Sequence, residues 1–273
     1  MKKLLSAFLI LLAFAGSVAR ADIVVLVHGY LGSPMSWQTS GVNDKLMQAG
    51  WKKSGIIFER QRKILLTQMP QPVNDHQVYS VRLPSRAPLT AQSNLLQAML
   101  SDLGKRHPDE KITLVGHSAG GVVARLTLVR FGAGNVDQLI TIASPHLGTG
   151  MAVYALNETN DSGPVGFIKS FFGGSTYHTV RSSTGILLDL VPVRPGTLLY
   201  WLNNQPHPDI EYISIVRGQN IQFNGDQIIP GFSQDMNQVP ALKGKSQVYF
   251  VKSGHQLNPV DGDTLSILLE KRY

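Results

Sequence analysis

The strongest constraint on this chain is the pentapeptide Gly116-His117-Ser118-Ala119-Gly120, set between an apolar run at 111–115 and a helix-like run at 122–129. A Gly-x-Ser-x-Gly segment carries mechanical meaning only where it joins a buried strand to a helix through a sharp turn. In such a turn the serine backbone is strained, and side chains two residues to either side collide. Gly116 and Gly120 remove those side chains. The turn lifts the Ser118 hydroxyl clear of the sheet and sets it at a helix N-terminus, where the dipole and the unsatisfied N–H groups favour developing negative charge. The flanking residues thus predict strand, turn, nucleophilic serine and helix, in that order.

The rest of the chain supplies the framework for such a turn. The continuous β-branched run 23–27 suits a strand buried on both faces, and it leads into the glycine-rich loop 28–34 (HGYLGSP). Helical spacing follows over 35–50, through Trp37, Val42, Leu46 and Met47, and stops at Gly50. The basic segment 52–76 reads as an exposed insertion with some local structure. Further strands are expected at 77–81, 111–115, 136–142, 212–216 and 247–251, with helices from Thr90 to about Arg106, through 122–131, and from about Asp263 to Glu270. Strands alternating with helices predict an α/β fold with a mostly parallel central sheet and helices on both faces. Active sites in such sheets lie beyond the carboxyl ends of the strands. Residues 149–196 break the alternation. Rich in Gly, Ser and Thr, they carry Phe167, Ile168, Phe171 and Phe172, and fit an inserted cap over an apolar site in which Phe167 and Phe171 would touch substrate. The plainer alternative packs these side chains onto the core as a surface helix.

A serine needs a base within hydrogen-bonding reach to act as a nucleophile. Of eight histidines, His255 lies in the loop just after the last predicted strand, from which it can swing toward Ser118. His117 adjoins the serine but should point away from it. His28 and His146 also follow strands and would line the cleft or brace loops, while His76, His107, His178 and His207 read as surface or loop residues. The base in turn needs a carboxylate to set its tautomer and stabilise its cation. Asp226 follows the 212–216 strand and gives the chain order Ser, Asp, His. Asp189 falls in the insertion, and Asp209 precedes the strand. Backbone N–H groups of Ala119 and of Tyr30, with Leu31 next in line and beside the substrate, are the expected oxyanion donors.

The first 21 residues read as an export signal. Lys2 and Lys3 precede an apolar stretch from Leu4 to Ala15, and Ala19-Arg20-Ala21 is a small-x-small cleavage pattern. The stretch is short against the roughly 20 residues of a membrane span, although an uncleaved anchor is the alternative. Cleavage after Ala21 leaves one α/β domain, residues 22–273, destined for the periplasm or the exterior. It also removes three cations and no acid from a formal charge of +7. The remaining excess is modest and spread out. It excludes a nucleic-acid-binding stripe and leaves room for transient contact with a membrane or lipid surface. With no cysteine in the chain, disulfides, thiolate metal sites, a cysteine nucleophile and a lipid-modified N-terminal cysteine are all excluded.

Four segments resemble the α/β-hydrolase superfamily, and within it bacterial lipases and esterases: 27–32 (VHGYLG), 115–121 (VGHSAGG), 143–149 (ASPHLGT), and the loops of Asp226 and His255. The resemblance implies carboxylic-ester hydrolysis through an acyl-enzyme on Ser118, with His255 shuttling the proton, Asp226 orienting His255, and a small-molecule or lipid ester as substrate. Secreted lipases of the calcium-binding type carry an aspartate two places after the catalytic histidine. Here that place is Leu257, so no metal and no cofactor is expected. An acyltransferase, thioesterase or amidase would use the same three residues. A non-catalytic lipid-binding module would have been favoured by loss of any one of them.

Overall fold

In the computed structural model, which describes residues 22–67, 76–157, 182–218 and 225–271, the β-branched run after Asp22 forms strand β1 (Asp22–Val27), buried along its whole length. Seven more strands join it: β2 (Lys52–Arg60), β3 (Lys63–Leu66), β4 (Gln77–Val81), β5 (Lys111–His117), β6 (Val136–Ile142), β7 (Glu211–Arg217) and β8 (Ser246–Val251). They make one sheet in the order β3-β2-β4-β1-β5-β6-β7-β8. Every neighbouring pair is parallel except β2 with β3.

The helices are α1 (Met35–Thr39), α2 (Val42–Gln48), α3 (Leu89–Arg106), α4 (Ala119–Phe131), α5 (Gly150–Asn157), α6 (Thr184–Asp189), α7 (Leu198–Asn203), α8 (Gly231–Gln234) and α9 (Pro259–Glu270). The two-residue period of β1 divides the interior. Ile23, Val25 and Val27 enter one core with Leu96, Met99 and Leu103 of α3 and Val122, Val123 and Leu126 of α4. Val24 and Leu26 enter the other, with Val42 and Leu46 of α2, Trp37, and Leu265, Leu268 and Leu269 of α9. Burial on both faces explains why β1 reads as an unbroken apolar run, since each such side chain contributes about 1.5–3 kcal/mol.

Two expectations change. The helix read over 35–50 is two helices, divided at Gly41, whose φ of +81° no helix accommodates. The segment read as an insertion from 52 contributes β2 and β3 to the sheet, and β2 pairs with β4 over Lys52–Ile57. These strands escaped the sequence reading because β3 forms the sheet edge and β2 lies next to it. They carry exposed Lys52, Lys53, Glu59 and Arg60, and a register shift between Lys53 and Gly55 breaks their alternation. Their two-residue turn, Gln61-Arg62, has positive φ at both positions without the Asn-Gly pair that signals such a hairpin.

The insertion is described at 149–157 and 182–196. Its ends pack α5 against α6, and Ile186 and Leu187 join the core that holds α3 and α4. Leu89 N–H, at the start of α3, donates to the Asp189 carboxylate at 2.7 Å. Phe167, Ile168, Phe171, Phe172 and His178 lie outside the described residues, as does the expected signal segment 1–21. Among the described residues no helix is long and apolar enough to cross a membrane.

Candidate active site

Ser118 follows β5 directly and starts α4 with φ 52° and ψ −129°. A side chain held in that region costs about 1–3 kcal/mol, which the surroundings must offset. Here Ser118 N–H donates to Ile142 O at 2.9 Å, at the end of β6, and Gly121 N–H donates to Ser118 O at 3.1 Å. The flanking glycines are obligatory. A Cβ at Gly116 would stand 2.4 Å from Gly121 Cα, and one at Gly120 would stand 2.4 Å from Val27 O. The turn is therefore packed against the end of β1 and against its own helix.

Loops after β7 and β8 bring two further groups to this turn. The Ser118 hydroxyl lies 3.0 Å from His255 Nε2, and His255 Nδ1 lies 2.9 Å from Asp226 Oδ2. With Nδ1–H donating to the carboxylate, Nε2 carries the lone pair and accepts from Ser118. Asp226 is fixed by its own loop: Oδ1 accepts from Ile228 N–H and Ile229 N–H, each at 2.8 Å, and Oδ2 also accepts from Gln234 Nε2 at 3.2 Å. Burial pushes the Asp226 pKa up. The His255 hydrogen bond, the His255 charge and the two N–H groups together outweigh it, so the carboxyl stays below its ordinary range. The other two aspartates weighed from the sequence are elsewhere. Asp189 serves the start of α3, and Asp209 precedes β7 at the opposite end of the sheet.

Other residues support these three, and of them Gln234 and Arg217 were not singled out by sequence. His117 points at the histidine loop, with Nε2–H donating to His255 O at 2.9 Å. Its pKa is lowered to about 3, first by burial and then by the charge of His255, so it is neutral. Gln234 accepts from Arg217 N–H at 2.8 Å while donating to Asp226. Arg217, fully buried, pairs with Asp261 through two hydrogen bonds of 2.5 and 2.9 Å and reaches Gln256 O at 3.4 Å. His28 braces the first loop: Nδ1–H donates to Gly29 O and Nε2 accepts from Leu83 N–H, both at 3.1 Å. His146 is likewise buried, 3.1 Å from Thr141 Oγ1. His107 and His207, read as surface or loop residues, are buried and half-buried respectively. His107 stands 3.1 Å from the Tyr79 hydroxyl, and His207 accepts from Arg125 Nη1 at 3.3 Å.

The expected oxyanion donors frame the same place. Ala119 is the first residue of α4, where a helix leaves its N–H groups without intrahelical partners. Tyr30 and Leu31 lie in the loop after β1, and with Ser118 they line a cavity of about 310 Å3. The Tyr30 hydroxyl bonds to Ser183, which ties this loop to the end of the insertion. Among the described residues no three His, Asp or Glu side chains converge as a metal site. The arrangement can move a proton from a hydroxyl to an imidazole, hold the resulting cation against a carboxylate, and offer N–H groups to an oxyanion.

Residues 87–158 match the family described as a PGAP1-like alpha/beta domain. Among curated proteins none matches the chain by sequence. The structure is similar to that of the lin2722 gene product of Listeria innocua, with a TM-score of 0.62 and 17% identity over 92% of this chain and 94% of that one. It is also similar to the mature form of lipase BlEst2 of Bacillus licheniformis (TM-score 0.60, 15% identity, 93% and 92% covered). A lipase-esterase related protein of Clostridium acetobutylicum gives a TM-score of 0.55 at 11% identity, with 94% and 96% covered. Sheet order, serine turn and these likenesses together define the class: the chain has the α/β-hydrolase fold. The resemblance seen in its sequence segments therefore holds for the architecture as a whole.

Proposed function

We propose that this protein is an exported serine hydrolase that cleaves carboxylic esters through an acyl-enzyme on Ser118. The observation that carries the reading is the unbroken chain from Ser118 Oγ to His255 at 3.0 Å and from His255 to Asp226 at 2.9 Å, placed at the carboxyl ends of β5, β7 and β8. Ser118 attacks the ester carbonyl as His255 Nε2 takes its proton. The N–H groups of Ala119 and Tyr30 receive the oxyanion. His255 then returns the proton to the departing alcohol, and water, activated by the same imidazole, releases the acid. An acyltransferase, thioesterase or amidase would run the same first half-reaction with a different acceptor or leaving group.

Export rests on the basic, apolar and Ala-x-Ala pattern of residues 1–21. Transient contact with a lipid surface is supported by the exposed β2–β3 turn. Arg60, Arg62 and Lys63 there stand beyond the last residue of β4, at the sheet end that carries Ser118. The insertion, with Phe167 and Phe171, is the proposed acyl cover.

The test is hydrolysis of a ladder of p-nitrophenyl esters, short to long acyl, by the protein from Asp22 onward, with Ser118→Ala alongside. Turnover lost in the variant and labelling of Ser118 by a fluorophosphonate are expected. Turnover that survives Ser118→Ala would overturn the assignment.

A further inference from the structure

Asp226 accepts from four donors, which fills the lone pairs of both its oxygens. Ile228 N–H and Ile229 N–H take Oδ1, while His255 Nδ1–H and Gln234 Nε2 take Oδ2 at 2.9 and 3.2 Å. Of the two side chains among them, Gln234 is the one the proposed mechanism leaves without a part.

Gln234 ends the short helix α8 and is 1% exposed. Its amide has a single satisfactory orientation. Oε1 accepts from Arg217 N–H at 2.8 Å, and Nε2 donates to Ile229 O at 2.8 Å as well as to Asp226. Turned over, it would set its oxygen against two acceptors and its NH2 against a donor. One N–H is therefore aimed at the carboxylate oxygen that faces His255.

That placement has an electrostatic consequence. A neutral N–H on Oδ2 stabilises the Asp226 anion without cancelling its charge, so Oδ2 becomes a weaker partner for the His255 proton. A cation in the same place would neutralise the carboxylate and lose its hold on the imidazole. The buried guanidinium of Arg217 is bound instead by Asp261, at 2.5 and 2.9 Å, and what Arg217 offers Gln234 is its backbone N–H. We infer that Gln234 is a positioning residue, which acts through Asp226 to limit how strongly His255 holds a proton. The inference rests on the proposed hydrolysis at Ser118. Among the described residues, the other charged or titratable groups that face His255 and Asp226 are His117 from β5, Arg217 from β7 and, through Arg217, Asp261 from α9. Substitution of Gln234 leaves all three in place.

The test follows kcat/KM for a p-nitrophenyl ester against pH in the protein from Asp22 onward. Gln234→Met and Gln234→Leu remove the donor; Gln234→Lys keeps a donor and adds positive charge. A base that holds its proton more strongly needs a higher pH before it can act. The acid limb should therefore rise by about half a unit to one unit in the apolar variants, so that below it kcat/KM falls roughly three- to tenfold against the parent. In Gln234→Lys the limb should stay or fall. The His255 Nδ1–H resonance, identified in the proton NMR spectrum by its loss in His255→Ala, should move downfield in the apolar variants and not in Gln234→Lys. A limb and a resonance that stay in place in the apolar variants, or move the same way in Gln234→Lys, would overturn the inference whatever those variants lose in Tm. Absence of Ser118-dependent turnover in the parent would remove the hydrolase reading, and the resonance would still decide what Gln234 does to His255.

Discussion

His117 Nε2 lies 2.9 Å from the carbonyl oxygen of His255, so the residue before the proposed nucleophile holds the loop of the proposed base. The two rings stand 5.2 Å apart, centroid to centroid. At that separation a positive charge on His117 would oppose the imidazolium that the proposed mechanism forms on His255. Burial keeps His117 neutral, and neutrality lets it donate without competing for charge.

This neutrality has a pH signature. The folded pKa of His117, about 3, lies below the ordinary 6.5, so between those values the unfolded chain binds a proton that the folded one does not. Its contribution to stability is complete above pH 6.5 and is lost as pH falls toward 3. His28, His146 and His207 are lowered in the same direction, each first by burial. Urea unfolding midpoints should therefore fall between pH 7 and pH 4.5, and fall less in His117→Gln, which keeps a donor. A flat midpoint across that range would show that these histidines carry protons in the fold.

Asp226→Asn keeps the shape of the loop but removes the charge that orients His255. For the proposed route kcat should drop by roughly 10^3- to 10^4-fold with KM little changed. Steady-state kinetics on a p-nitrophenyl ester, with circular dichroism to verify folding, checks it. A loss under tenfold would move the orienting role away from Asp226.

The two glycine environments make opposite predictions. Gly120→Ala drives a methyl to 2.4 Å from backbone Val27 O and should cost at least ~1–3 kcal/mol, seen as a lower Tm or an insoluble product. Gly104→Ala sits within α3 with its nearest neighbour at 3.7 Å, on the Asn135 side chain. It should raise stability by about 0.5–1 kcal/mol through helix propensity. Differential scanning calorimetry separates them.

The Arg217–Asp261 pair is fully buried and also supports the His255 loop through Gln256 O. Asp261→Asn, which leaves the guanidinium uncompensated, should cost about 3–5 kcal/mol. The double variant Arg217→Met with Asp261→Leu should recover much of that stability. Denaturant titration of the three proteins tests this; a double variant no better than the single would mean that the pair's other hydrogen bonds dominate.

Much of this was legible in the sequence because it depends on local pattern. The run at 23–27 reads as a buried strand from its β-branched continuity, and the serine turn reads from two glycines placed where side chains would collide. Asp226 and His255 were found by their position after strands, and the structure brings both to Ser118. Gln234, Arg217 and the bracing role of His117 were hidden, since polar residues on short helices and strand ends carry no periodic signal. The strands β2 and β3 were hidden for the opposite reason: at the edge of the sheet and next to it, exposed charges mask the alternation that a covered strand would show.

The sequence by itself determined the six strands β1 and β4 to β8, the helices α3, α4 and α9, the strained serine turn and the residue types able to move a proton. These follow from short-range sterics and from apolar periodicity, both of which act within a few residues. Only the tertiary structure decided that residues 118, 226 and 255 meet within hydrogen-bonding distance, and that His117 is a neutral brace. It also placed Gln234 against Asp226. Those relations depend on the parallel register that brings the ends of β1, β5, β7 and β8 to one edge of the sheet, and packing across the whole chain sets that register.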